Sequence, residues 1–281
     1  MKDEECVHFL QEILPRLGLR WAGYRRVCKQ VCKRLRRRIA ELELPDLAGY
    51  QHRLESEPDE WQRLEGFLRI GISRFYRDRW LCGLLAAEVL PAVNRLAVAA
   101  GAQRARIWSA GCAAGEEPYT LALIWHQFTS SPAKLALEVI ATDADPVRLS
   151  RARTACYGWS SLKDLPEEIT TAAFSRHRDQ YCLRPDYRQG VRFLQQDIRQ
   201  ESPPGRFHLV TCRNLAFTYF AEALQRQVTA RLAAALVPGG YLLIGAKESL
   251  PAGQDLFVPL PGWRGIFKKT PGGGNRNSPE N

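Results

Sequence analysis

The chain has 281 residues, 45% of them apolar, which fits two domains or one large domain with an appendage and supports a sizeable core. Basic residues outnumber acidic ones, 40 to 30, but ten of the basic residues lie between Arg16 and Ile39, where there is no acid. The remaining charges balance, so the excess is a local patch suited to an acidic partner and not a property of the whole surface. No apolar run is long enough to span a bilayer, and the acidic start MKDEECVHF lacks the pattern of a secretory signal. A cytoplasmic protein without membrane insertion is therefore expected. The eight cysteines are scattered with no C-x-x-C pair, so free thiols are expected and no metal site.

The first part, to about Tyr76, reads as all-helical. Val7 to Leu17 predicts a first helix and Tyr24 to Leu42 a second. Val27, Val31 and Leu35 recur at four-residue steps, with Cys28, Cys32 and Ile39 beside them, forming one apolar stripe. Arg25, Lys29, Lys33, Arg36 and Arg37 cover the other faces. Three roles suit such a helix: a solvated face, phosphate binding, or docking to an acidic protein surface. Aromatic interleaving and a known nucleic-acid motif are missing, so no nucleic acid is expected. Leu47 to Ser56 predicts a short helix, and Pro58 opens another with Trp61, Leu64, Phe67 and Leu68 as its buried face.

GISRFYR, Gly71 to Arg77, joins this part to the rest. Arg79 to Leu96 predicts a long helix, kinked or broken at Pro91. Beyond Gly101 strands alternate with helices, which implies a parallel sheet covered on both faces. The expected strands are Arg106 to Ser109, Leu137 to Ala141, Val191 to Leu194, Phe207 to Cys212 and Tyr241 to Gly245. A last strand, Gly262 to Lys268, is expected to pair antiparallel at an edge. The crossovers are Pro118 to Phe128, Pro146 to Ala155, and Ala221 to Leu236. An insert, about 156–190, holds a helical piece (Pro166 to Phe174) and an extended piece (Gln180 to Arg184). The domains expected are 1–76, 77–269 and a disordered tail, 270–281, rich in Gly, Asn and Pro.

The chain is organised around IWSAGCAAGEEPY, Ile107 to Tyr119, a strand, a small-residue turn and the start of a helix. Such a turn lets a ligand approach the backbone closely. A pyrophosphate on the helix N-terminus would be repelled by Glu116 and Glu117. S-adenosylmethionine fits better, with a sulfonium, an ammonium and a ribose but no phosphate. Asp143, at the end of the second strand, suits ribose hydroxyls, the reading preferred over a cap on the following helix. Asp197 and Ile198 follow the third strand, and Arg213 and Asn214 follow the fourth, with Tyr219 shortly after. Together these polar strand ends could meet the ribose, adenine and methionine parts of one ligand.

The motifs IWSAGCAAGEEPYTLAL, IATDADP, VRFLQQDI, LVTCRN, PGGYLLIG and KESL resemble the chemotaxis-receptor (CheR-type) methyltransferases. These form methyl esters on receptor glutamates, using S-adenosylmethionine and releasing S-adenosylhomocysteine. The N-terminal YRRVCKQVCKRLRRRI, the Gly49 to Leu54 spacing and SRFYRD are similar too. The resemblance implies an α/β class I (Rossmann-like) methyltransferase with a mostly parallel sheet, an antiparallel edge strand, an N-terminal all-helical domain and a small insert. It implies that Ser73 and Arg77 close over the methionine end of the donor. Ala110, Gly111, Gly115 and Glu116 would line the amino-acid site, with Asp143 on the ribose and Asp197 and Ile198 at the adenine. Arg213 and Asn214 would lie beside the reacting centre, with Arg77, Arg213 and Tyr219 as the catalytic set. It also implies that the basic helix, Arg25 to Arg38, docks an acidic protein substrate.

Four departures from the family pattern stand out. CRNLAFTYF has four residues between Asn214 and Tyr219 where the family has three, which displaces Tyr219 or needs a bulge. Gly71 replaces an Asn, Asp197 replaces an Asn, and GAKES replaces a GHSES-like end. The changes cluster near the acceptor. They leave open a small-molecule or non-receptor methyltransferase on the same scaffold, or a donor-binding module without turnover.

Overall fold

The computed structural model describes residues 3–127 and 134–270; Phe128 of the first crossover and residues 271–281 of the tail lie outside the described residues. The chain divides into two compact units, Met1–Gly71 with Thr218–Leu224, and Ile72–Phe217 with Gln225–Asn281.

The first unit is helical. Its elements are α1 (Asp3–Arg16), α2 (Trp21–Tyr24), α3 (Cys28–Glu41), α4 (Leu47–Ser56) and α5 (Pro58–Leu68). The expected second helix is thus split, because Tyr24 turns inward and its hydroxyl donates to the Leu68 carbonyl at 3.1 Å. Arg25 and Arg26 consequently lie in the turn before α3. Val31, Cys32, Leu35 and Ile39 form the buried face of α3, against Phe9, Leu10, Ile13 and Leu14 of α1 in the same core. Glu60 is buried in this unit and neutralised there. Arg38 grips both its oxygens at 2.9 and 2.7 Å, and the Tyr50 hydroxyl donates to it at 3.0 Å.

In the second unit, α6 (Arg79–Leu84) runs through a π-helical turn, Leu85–Val89, into α7 (Leu90–Ala99). The run is not broken at Pro91; of the kink or break expected there, the irregularity present is the π-helical turn Leu85–Val89, which lies just before the proline. This run, Arg79–Ala99, is long and apolar enough by composition to cross a membrane, contrary to the expectation that no such run exists. Its apolar residues Leu81, Leu85, Val89, Leu90, Val93 and Ala97 are buried in the unit's core. Then follow β1 (Arg104–Ala110), α8 (Glu116–Gln127), β2 (Ala136–Asp143) and α9 (Pro146–Thr154). The insert comprises β3 (Cys156–Gly158), α10 (Trp159–Leu162), α11 (Glu167–Ala173), β4 (Phe174–His177) and β5 (Gln180–Leu183). Next come β6 (Val191–Gln195), β7 (Phe207–Cys212), α12 (Ala216–Tyr219), α13 (Glu222–Ala235), β8 (Leu236–Ile244), β9 (Phe257–Pro259) and β10 (Ile266–Lys269).

The main sheet has seven strands in the order β6-β2-β1-β7-β8-β10-β9. The first five are mutually parallel. Every residue of β7 is buried, the continuous apolar pattern of a central parallel strand. The last expected strand does pair antiparallel, β10 on β8, but β9 lies outside it as the true edge. The insert forms its own antiparallel sheet, β3-β5-β4.

The expectation of free thiols holds for Cys28, Cys82, Cys112 and Cys212 only. Cys6 is bonded to Cys32, joining α1 to α3, and Cys156 to Cys182, which are cross-strand partners in the insert. Each pair is 26 residues apart in sequence, so it is the fold that makes them neighbours.

Candidate active site

The chain order reverses between β1 and β7: β2 and β6 lie on one side, β8 on the other. Ligands in such sheets bind beyond the carboxyl ends of the strands at this switch point. Most of the expected site residues are placed there by strand ends.

Ala110 ends β1, and the turn after it is held to β2 by the Gly111 and Cys112 N–H groups, both donating to the Thr142 carbonyl (2.8 and 2.9 Å). Gly111 has φ +75°, and a Cβ there would meet Leu215 at 2.3 Å. Gly115 has φ +92°, and a Cβ there would stand 2.9 Å from Ala152. Both positions therefore favour glycine for their conformation, and at Gly115 the short Ala152 side chain, which cannot swing aside, adds crowding. Tyr157 of the insert closes the turn, donating its hydroxyl to the Ala114 carbonyl at 2.8 Å.

The two acids at the end of β2 divide the roles that the sequence left open. Asp145 caps α9, accepting from the Val147 and Arg148 N–H groups. Asp143 does not cap it. Its Oδ2 accepts from Ala113 N–H at 2.8 Å and its Oδ1 from Asp145 N–H at 2.9 Å. These bonds fix its orientation and leave lone pairs for two hydroxyls. Burial holds its carboxyl above the usual carboxylate range.

Glu116 and Glu117 open α8 and differ sharply. Glu117 accepts from Ser109 Oγ (2.9 Å), Thr211 Oγ1 (2.5 Å) and Arg213 Nη1 (3.3 Å). Glu116 is 3% exposed, the Ser73 and Ser161 hydroxyls act to lower its pKa, and its Oε2 is buried with no partner. Burial is the main cause that raises its pKa. A buried acceptor without a donor costs free energy unless a ligand supplies one. The α-ammonium of S-adenosylmethionine is such a donor, so the residues present fit this group.

Beyond β6, Ile198 is buried and its carbonyl accepts from Arg231 at 2.8 Å. Asp197 is clasped by its near neighbour Arg199, through Nε at 3.0 Å and Nη2 at 2.7 Å. Beyond β7, Arg213 and Asn214 stand next to each other, and Asn214 has φ +54°. Glu248 was seen in the sequence only as part of a motif. Its Oε2 accepts from Asn214 N–H (2.8 Å) and Gly245 N–H (2.6 Å), tying the β7 and β8 ends together. The Arg77 guanidinium donates to the Ile72 carbonyl at 2.8 Å, within its own turn.

Tyr219 belongs to the helical unit. Its ring packs on Tyr24 with centroids 5.0 Å apart, and its carbonyl accepts from Arg20 N–H at 2.8 Å. Phe220 bridges to Leu19 beside it. Within CRNLAFTYF, residues Ala216–Tyr219 form the helical turn α12, not a strand bulge.

On α3, Arg34 donates to the Phe67 and Arg69 carbonyls at 2.7 and 3.0 Å, and Arg38 holds Glu60. Arg36 pairs with Asp3 and Arg37 with Glu41. Lys29 and Lys33 are exposed, as are Arg25 and Arg26 in the preceding turn.

The doubly wound sheet and these strand ends define an S-adenosylmethionine-dependent methyltransferase of the Rossmann-like class. Residues 72–265 match the family described as "CheR methyltransferase, SAM binding domain", and residues 5–68 match "CheR methyltransferase, all-alpha domain". The chain is 30% identical to the chemotaxis protein methyltransferase of Escherichia coli, over 89% of this chain and 85% of that protein. It is 28% identical to the one from Listeria monocytogenes, over 88% and 91%. It is also 33% identical to an uncharacterized 104.1 kDa protein of Rhodobacter capsulatus, over 82% of this chain but 24% of that protein. The chain belongs to the CheR methyltransferase family.

Proposed function

We propose that this methyltransferase forms methyl esters on glutamate side chains of an acidic, chemoreceptor-like protein. Two buried, unmatched atoms carry the proposal: Glu116 Oε2, an acceptor, and Arg213 Nε, a donor. The first calls for a cation, as on the donor's amino-acid end, and the second for an anion, as on a carboxylate acceptor.

The donor supplies a methyl group on a sulfonium. A glutamate carboxylate has an ordinary pKa of about 4.3 and is ionised at neutral pH, so no base is needed to prepare it. The work of the chain is to orient the carboxylate, strip its water and align it. Arg213, assisted by Arg77, holds the carboxylate through charge-assisted hydrogen bonds. Glu116 and Ser73 hold the methionine end of the donor, Asp143 the ribose, and Asp197 with Ile198 the adenine. The exposed Arg25, Arg26, Lys29 and Lys33 supply the docking charge, because Arg34 and Arg38 are used inside their own unit.

Methyl-labelled S-adenosylmethionine, incubated with the enzyme and a lysate of its own source, tests this. Label should appear on protein and leave as methanol in mild alkali. Alkali-stable label, or label only among small molecules, would refute the glutamate assignment and favour the small-molecule or non-receptor alternative suggested by the changes near the acceptor.

A further inference from the structure

Arg213 faces two carboxylates, and only one of them is built in. Its side chain is 8% exposed. Glu117, 18% exposed, is fixed by Ser109 and Thr211 as well as by Arg213. Asp78 approaches from the other side, with Oδ2 2.5 Å from Arg213 Nη2, and its side chain is 46% exposed. Glu117 alone would balance the arginine, so Asp78 is a surplus negative charge. Arg213 Nε nonetheless stays buried and unpartnered, so the arginine's donor set is incomplete while Asp78 is in place. An arginine reaches its strongest geometry with two parallel N–H donors on one carboxylate.

The Asp78 turn is held in an unusual shape. Tyr76 and Asp78 have φ of +51° and +66°, the left-handed region that residues other than glycine enter only when their surroundings hold them there. The turn is anchored by Phe75 N–H on the Ser161 carbonyl and Tyr76 N–H on Thr120 Oγ1. Asp78 is thereby presented to Arg213 across 135 residues of sequence, at the β1/β7 switch point.

We infer that Asp78 occupies the acceptor-carboxylate subsite on Arg213, as a built-in stand-in that the acceptor glutamate displaces. The inference rests on the role proposed above for Arg213. Asp78 is the solvent-side member of the pair and can leave, while Glu117 stays and keeps the arginine in place. An incoming carboxylate brings the same functional group to the Nη2 and Nε edge. Displacing a tethered competitor sets a threshold. Free carboxylates in solution fail it, and a glutamate delivered by a docked protein passes it. Asp78 is thus a specificity residue acting by competition against the wrong acceptors.

Acetate reproduces the group deleted in Asp78→Ala. It should raise the thermal midpoint of that variant saturably, with sodium chloride at equal ionic strength as control, and the wild type should respond at roughly tenfold higher acetate, as expected if the stand-in is in place in about nine molecules of ten. Adding Arg213→Gln to Asp78→Ala should abolish the response. In Asp78→Asn, methylation of N-acetylglutamate should rise about tenfold by the same population argument. Affinity for S-adenosylhomocysteine should stay within about twofold, which also reports that the variant is folded. An acetate response equal in wild type and Asp78→Ala would overturn the inference. So would an Asp78→Asn enzyme whose rates on N-acetylglutamate and on protein fall in parallel, since that is the mark of a residue that only positions Arg213. If the wild type methylates no carboxylate at all, the proposed function fails, and the acetate arm still decides whether the subsite exists.

Discussion

Glu116→Gln removes the charge that the donor's ammonium is expected to meet while keeping the side chain's size. Oε2 of Glu116 is buried and unpartnered, so its bond to the ligand would not be shared with other protein donors. A hydrogen bond to a charged partner contributes ~1.5–3 kcal/mol. The variant should therefore bind S-adenosylhomocysteine roughly tenfold to a hundredfold more weakly, measured by isothermal titration calorimetry. The pH dependence separates this from a general loss of structure. Burial raises the Glu116 pKa in the free protein, whereas an ammonium ligand favours the ionised form. Affinity should then rise with pH until the raised pKa is passed, with a proton released on binding in that window. Stability of the free protein moves the other way. The unfolded chain gives up this proton first, so the Glu116 contribution falls as pH climbs from the unfolded pKa through the raised folded one. Both slopes should flatten in Glu116→Gln. Binding within twofold of wild type, with the pH slope intact, would refute the assignment of Glu116 to the ammonium.

Two further outcomes are expected in the helical unit. Arg38, through its hydrogen bonds, is the first cause that lowers the Glu60 pKa, so the stability from this pair should be present above the ordinary carboxylate range and be lost as pH falls through the lowered value; Glu60→Gln should cost about 1.5–3 kcal/mol in chemical denaturation at neutral pH, because Arg38 loses its charge-assisted bonds and keeps, among the described residues, only Glu41, 3.7 Å away. Reversing Lys29 and Lys33 to Glu should raise the KM for a protein acceptor severalfold and make it less sensitive to salt, with the KM for the donor unchanged. Arg34→Gln, by contrast, should lower thermal stability, since that guanidinium holds the Phe67 and Arg69 carbonyls.

The charged strand ends were legible in the sequence because they sit where periodicity changes. A buried parallel strand is a largely apolar run, and the first charged residue at or after its end marks the strand end that faces a ligand. Glu116, Asp143 and Arg213 are all found this way. What the ends do to each other was not legible. Asp197 reads as a free acceptor, yet Arg199, two residues on, takes both its oxygens. That contact depends on the turn after β6, where local spacing carries no period. The short strands β3, β4 and β9, three to four residues each, are below the length at which alternation can be recognised. The disulfide partners lie on elements brought together only by the fold.

The acceptor side departs from the family motifs at several positions, and there the sequence offered two outcomes for Tyr219, displacement or a bulge. A strand bulge is not what the chain forms. Asn214, in a left-handed conformation, turns the chain out of β7, and α12 follows as one helical turn. Its last residues then leave the methyltransferase unit to pack with the helical one, where Gly23 leaves space for the Thr218 carbonyl that a Cβ would meet at 2.3 Å. The backbone after CRN is therefore specified by residues some 200 positions earlier in the sequence, Leu19, Arg20 and Gly23. Counting residues between Asn and Tyr cannot recover this, because the spacing constrains only the local turn, and the partners that fix the turn's far end lie far away in the sequence.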